Sequence, residues 1–163
     1  DTADHFRKTG RKLKQICKKK SETEFSYLFE TARALCQVLE IKADLGKRMK
    51  AAYDQNETQT LRKITQKELP QLLEDLEIFY ERFKNQWYQE NKSFGFEVQT
   101  IRLGGLIQRV KDVKQILESY LCGTCSVIEI LEKERLPFHY FEEQDIRKLN
   151  YNLWSDIVSP SKV

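Results

Sequence analysis

The chain has 163 residues, with 28 Lys and Arg against 25 Asp and Glu, for a net charge of +3. That length points to one domain able to bury a sizeable core, and the near balance of charge names no partner by itself. No run of 18 apolar residues occurs, which excludes a membrane-spanning helix, and only six Gly and three Pro interrupt a composition rich in helix formers. The chain starts at Asp1 without a signal-like apolar stretch, as expected of a piece cut from a longer protein.

In chain order, residues 3–19 read as a first helix with Phe6, Leu13, Ile16 and Cys17 as a sparse apolar stripe. Its basic residues (Arg7, Lys8, Arg11, Lys12, Lys14 and neighbours) make a charged face suited to nucleic acid, lipid or an acidic protein. A solvated face balanced by acids elsewhere in the fold is the simpler account. Ser21, with Glu24 three residues on, has the form of a capping box. From there to about residue 54 apolar residues recur at three-and-four spacing, and Gly46 inside this pattern marks an expected close helix crossing.

A third helical region carries Leu61, Ile64, Leu69, Leu72, Leu73, Leu76, Phe79, Tyr80, Phe83 and Trp87 on its apolar side. Pro70 divides it, giving either a short helix over 58–66 followed by a fresh one near 69, or a single kinked helix. The pattern breaks again at Asn91 to Phe96, where Gly95 permits a turn and Phe94 and Phe96 flank it as anchors. A fourth long helix begins near Glu97. Gly104 and Gly105 in its early turns cost helix propensity and predict close packing against a neighbour. A short helix over about 127–134 ends at Leu136-Pro137. The aromatic tail (Tyr140, Phe141, Tyr151, Trp154) wraps over the bundle in this reading. The fold class is all-α: an antiparallel bundle of three to four long helices, spanning 1–163 as a single domain with a short helix and an aromatic tail.

Chemistry is hard to find. Glu74, Asp75, Glu77 and Glu81 fall among polar-face positions, and neither His5 nor His139 follows a glutamate at the di-iron spacing. Phosphate-binding glycine motifs are missing. Cys17 and Cys36 read as small core residues. Cys122 and Cys125 form a CGTC, the spacing of a redox motif or half a zinc site, better explained as a helix end with a glycine turn. No catalytic residue, metal or cofactor is assigned. Seven Tyr and nine Phe exceed what a minimal bundle needs, so some face a partner surface. The residues alone leave two readings: an accessory domain docked on a larger body, or a stand-alone helical interaction or nucleic-acid-binding module, the nucleic-acid form being disfavoured by the modest charge.

ENKSFGFEVQTIRLGGLIQRV (Glu90 to Val110) resembles a stretch near the end of the smaller, non-secreted bacterial β-N-acetylhexosaminidases of glycoside hydrolase family 20. LCQVLEIKADLGKRMKAAY (Leu35 to Tyr53), KELPQLLEDLEIFYERFKNQW (Lys67 to Trp87) and NLWSDIVSPS (Asn152 to Ser161) occur in the family's order. The resemblance implies an all-helical domain that comes after a catalytic (β/α)8 barrel in the same parent chain, packs on it, contributes to a homodimer and resides in the cytoplasm. It implies a parent enzyme that hydrolyses terminal β-linked N-acetylglucosamine or N-acetylgalactosamine, with the acetamide of the substrate as nucleophile. The Asp-Glu pair for that reaction belongs to the barrel, and this chain alone is not catalytic. Ser93, Glu97 and Thr100 depart from the family's proline, aspartate and aspartate. Trp87, Asn91, Phe94, Phe96 and Arg102 become candidates for docking on the barrel or lying near the sugar. Gly95, Gly104 and Gly105 become the close-packing positions.

Overall fold

A computed structural model describes residues 2–19 and 23–133. Among them every regular element is helical: α1 (Thr2–Lys19), α2 (Ser26–Asp54), α3 (Thr58–Lys63), a π-helical turn (Ile64–Glu68), α4 (Leu69–Glu90), α5 (Phe96–Leu121) and α6 (Glu129–Glu132). No helix among the described residues is long and apolar enough to cross a membrane. The all-α bundle expected from apolar periodicity is the fold observed.

Cross-helix contacts fix the directions of the long helices. Arg7 of α1 donates to Glu40 of α2 at 2.8 Å, and a Cβ on Gly10 would lie 3.3 Å from the Cβ of Cys36. Going from Arg7 to Gly10 along α1 goes back from Glu40 to Cys36 along α2, an antiparallel pair. Likewise Arg82 reaches Glu30 at 2.7 Å at one end of α4, while Arg48 reaches Glu68 at 2.7 Å just before its other end. At the far end of α5, the Arg62 guanidinium of α3 donates to the Leu121 carbonyl at 3.5 Å. Each long helix thus runs back along its predecessor, as short connections require.

The core lies where α2, α3, α4 and α5 converge. Leu61, Ile64, Leu69, Leu72, Leu76 and Leu117 are almost wholly excluded from solvent, with Val38, Leu45, Ala52, Ile107 and Val110 around them. The spacing from Leu61 through Ile64, Leu69 and Leu72 to Leu76 is three, five, three and four. A straight α-helix would carry the step of five to another face, since each residue turns about 100°. The π-turn takes up the extra residue, with the Leu69 N–H donating to the Ile64 carbonyl five residues back. The Thr65 hydroxyl, fully buried, donates to the Leu61 carbonyl at 2.7 Å. Pro70, which has no N–H to give, then sits in the first turn of α4. The two readings left open by Pro70 resolve into one continuous helical path, widened rather than broken.

Two local expectations are corrected. Ser21 lies outside the described residues, and α2 starts only at Ser26, with Phe25 in the cap position and no side-chain cap bond. A Cβ on Gly46 would meet nothing within 4 Å, so no helix among the described residues crosses there. The close approach is at Gly10. The short terminal helix spans Glu129–Glu132, inside the expected 127–134; its stop at Pro137 and the aromatic tail fall outside the described residues.

Asp75 also departs from expectation. It is 5% exposed, between the core residues Leu72 and Leu76, with Gln71 Nε2 donating to its Oδ1 at 3.3 Å. Burial pushes its carboxyl up, the Gln71 hydrogen bond opposes that, and Glu74 and Glu40 add to the rise. The folded state therefore binds a proton more tightly than the unfolded chain. Its contribution to stability is greatest below the ordinary carboxylate value and declines as pH rises through that value to the raised one. Asp75→Asn should flatten this segment of the stability–pH curve and gain stability relative to the native protein toward neutral pH. Urea unfolding at a series of pH values checks it, and an unchanged curve would refute the assignment.

Tyr53, at the end of α2, ties down the last described turn. Its hydroxyl donates to Glu132 at 2.5 Å and accepts the Ile128 N–H at 3.2 Å. Ile128 is itself buried. Tyr53→Phe should cost about 1–3 kcal/mol, because a buried N–H loses its acceptor. The same change should speed hydrogen exchange at the Ile128 amide; a protected amide in the variant would contradict the clamp.

Candidate functional site

The singled-out turn joins α4 to α5 and is built from the chain's own hydrogen bonds. Asn91 ends α4 in an extended conformation (φ −131°, ψ 166°), its N–H still bonded to the Trp87 carbonyl at 2.8 Å. The Trp87 indole N–H then donates to the Lys92 carbonyl at 2.9 Å, and the Phe96 N–H reaches the Ser93 carbonyl at 3.3 Å. Gly95 has φ +97°, the left-handed region where a side chain is strained. A Cβ there would sit 3.5 Å from the Trp87 ring, an ordinary contact, so backbone conformation rather than space demands glycine. Glu97 accepts the Gly95 N–H at 2.8 Å, placing a carboxylate where the helix dipole favours one.

Phe96 and Phe94 have opposite fates. Phe96 is 3% exposed and forms the hub of an aromatic cluster, its ring centroid 5.5–5.9 Å from those of Tyr80, Phe83, Trp87 and Tyr88. Phe83 extends the cluster by stacking on Phe79 at 5.7 Å, with the rings 2° from parallel. Phe94 is 87% exposed. The turn thus spends one phenylalanine on holding itself to α4 and presents the other to solvent.

The remaining candidates spread along the exposed side. Trp87 is half-buried against Phe96, whereas Asn91 and Arg102 are exposed, and no hydrogen bond or ion pair engages Arg102 among the described residues. Gly104 is exposed, and a Cβ there would meet nothing within 4 Å. Among the described residues no neighbour approaches Gly104 closely. Gly105 is half-buried. Glu97, Ile101 and Gly104, at steps of four and three, lie along one outer stripe of α5, and Ile101 is half exposed. Thr100, where the family resemblance leads one to expect aspartate, bonds inward: its hydroxyl lies 3.3 Å from the Phe96 carbonyl and 3.1 Å from the Tyr80 hydroxyl.

Sequence reasoning placed the break at Asn91 to Phe96 with a turn at Gly95, which is where α4 gives way to α5, and took both Phe94 and Phe96 as anchors, of which only Phe96 is buried in the bundle. It missed that Tyr80, Phe83 and Tyr88 complete the cluster. The available signal was spacing: 80, 83 and 87 lie on one helical face, directly behind the turn. The basic face of α1 is partly neutralised on the spot, with Arg7 on Glu40 and Lys8 on Asp4 at 2.7 Å. Among the described residues no group of three or more His, Cys, Asp or Glu could hold a metal ion. What the geometry offers is a contact surface: a rigid turn with one exposed ring, an apolar residue and a glycine along the adjoining helix, and a nearby guanidinium that no described residue engages.

No curated protein matched the chain in a sequence search. A family model described as the glycoside hydrolase 20C C-terminal domain matches residues 1–151, a span that takes in every helix among the described residues. The chain belongs to the glycoside hydrolase 20C C-terminal domain family.

Proposed function

We propose that this chain, residues 1–163 as one unit, is the non-catalytic helical domain of a cytoplasmic β-N-acetylhexosaminidase, docked on a catalytic (β/α)8 barrel of the same parent chain. The parent removes terminal β-linked N-acetylglucosamine or N-acetylgalactosamine, and the barrel carries the acid and the residue that orients the acetamide. The domain supplies a packing surface and contributes to a homodimer. The observation that carries the docking reading is Phe94, 87% exposed on a turn held by four hydrogen bonds and an aromatic cluster. A rigid exposed aromatic loses little conformational entropy when it is covered, which suits it to anchor an interface. Ile101, Gly104 and Arg102 extend the surface: an apolar contact, a place for close approach, and a planar donor for a carboxylate across the boundary.

The test compares the isolated domain with its parent. Only the parent should turn over a chromogenic N-acetylglucosaminide. Phe94→Ala should leave the isolated domain within about 0.5 kcal/mol of the original. In the parent it should weaken domain association by about 2 kcal/mol, read as a lower thermal inactivation midpoint. Turnover by the isolated domain would overturn the non-catalytic assignment, and equal loss of stability in both contexts would overturn the docking role of Phe94. Light scattering of the two forms tests the dimer.

A further inference from the structure

The other end of α5, remote from the docking turn, carries two thiols that the docking role does not use. The helix stops in a glycine cap: the Gly123 N–H donates to the Tyr120 carbonyl at 3.1 Å, the Thr124 N–H to the Ser119 carbonyl at 2.9 Å, and Gly123 has φ +81°. This reversal sets Cys122, exposed, and Cys125, half-buried, on one short turn. The Cys122 Sγ lies 3.0 Å from the Thr124 hydroxyl, and the Thr124 side chain and backbone N–H together hold its thiol below the ordinary cysteine value. The Cys125 thiol donates to the Val127 carbonyl at 2.7 Å.

Cys122 also lines a surface pocket of about 380 Å³ with Arg62, Thr65, Gln66, Glu118 and Leu121. Thr65 and Gln66 belong to the π-turn, a feature that recurs at functional sites. The Arg62 guanidinium is pinned beside the pocket by the Leu121 carbonyl, and the Glu118 carboxylate is engaged by Lys114 at 2.6 Å. An exposed thiol therefore shares the pocket with a cation, and the carboxylate that lines the same pocket is paired with Lys114.

We propose that Cys122 and Cys125 form a reversible dithiol–disulfide site, Cys122 attacking and Cys125 resolving, with the Arg62 pocket seating an anionic low-molecular-weight disulfide of the glutathione class. In the first step the Cys122 thiolate attacks one sulfur of the small disulfide. A mixed disulfide forms on Cys122, the old S–S bond breaks, and one small thiolate leaves with the electron pair and takes a proton from water. In the second step Cys125 leaves the Val127 carbonyl, gives its proton to solvent and attacks the Cys122 Sγ, expelling the second small thiolate. Two electrons pass from the protein dithiol to the small disulfide, which ends as two thiols.

The test incubates the intact protein with glutathione disulfide, blocks remaining thiols with an alkylating agent and reads the mass and the modified residues. The native protein should lose two hydrogens, with Cys122 and Cys125 alone becoming unreactive. Cys125→Ser should stop at a mixed disulfide on Cys122, and Cys122→Ser should lose both products. Arg62→Ala should slow the reaction with glutathione disulfide about threefold, the effect of one exposed ion pair, and leave the reaction with neutral hydroxyethyl disulfide unchanged. Circular dichroism confirms that each variant keeps its helices. A native protein that retains both free thiols, or that reacts first at Cys17, overturns the dithiol site. Equal slowing of the Arg62 variant with both disulfides overturns the pocket as the anion's seat.

Discussion

Phe96→Ala should destabilise the domain by about 3–5 kcal/mol, the cost of emptying a buried aromatic position. The ring is 3% exposed and touches four other aromatic rings, so its removal leaves a void that α4 and α5 can close only by moving together. Urea unfolding measures the loss, with Trp87 as the fluorescent reporter at the site itself. A second consequence separates Phe96 from an ordinary core residue. The Phe96 ring is what fastens the turn to α4, so the variant should also lose the docking proposed for Phe94, even where the bundle remains folded. A cost below about 1 kcal/mol would mean that the cluster does not organise the turn.

Leu72→Ala should cost about 2–5 kcal/mol. Leu72 is fully buried in the core cluster with Leu69, Leu76 and inward residues of α2 and α5, so the lost isopropyl group leaves a cavity there. The urea midpoint should fall with an unchanged slope, because the same surface is exposed on unfolding. Leu72→Met, close in volume, should cost less than about 1.5 kcal/mol. If the two variants lose equal stability, side-chain volume is not what that position supplies.

Much of the bundle was legible because apolar periodicity and burial coincide over long stretches. Leu45, Ala52, Leu61, Leu69 and Leu117 are inside for the reason their spacing indicates, whereas Val38, equally buried, stood off the stripe read from the sequence. The turn at Gly95 was legible as well, since a glycine between two aromatic residues at the end of a pattern has few other uses. Three features were not. The inward placement of Asp75 runs against its chemistry, and only the position of its neighbours at 72 and 76 could have signalled it. The division of labour between Phe94 and Phe96 depends on where α5 begins, and a shift of one residue would exchange core and surface. Gly46 and Gly104 differ from Gly10 only in what lies opposite them, which a single strand of sequence does not record. Tyr53 illustrates the same limit: its two partners lie 75 and 79 residues away.

The π-turn also bears on how this chain tolerates changes of length. Elsewhere in a long helix, deleting one residue rotates everything beyond it by about 100° and turns the apolar stripe away from the core. Between Ile64 and Leu69 the opposite holds. Removing one of Gln66 or Lys67 shortens the step of five to the step of four that an ordinary helix uses, and keeps Leu61, Ile64, Leu69, Leu72 and Leu76 in one line. The stretch before Pro70, which also forms part of the wall of the thiol pocket, is thus where this helix should best tolerate the loss of one residue.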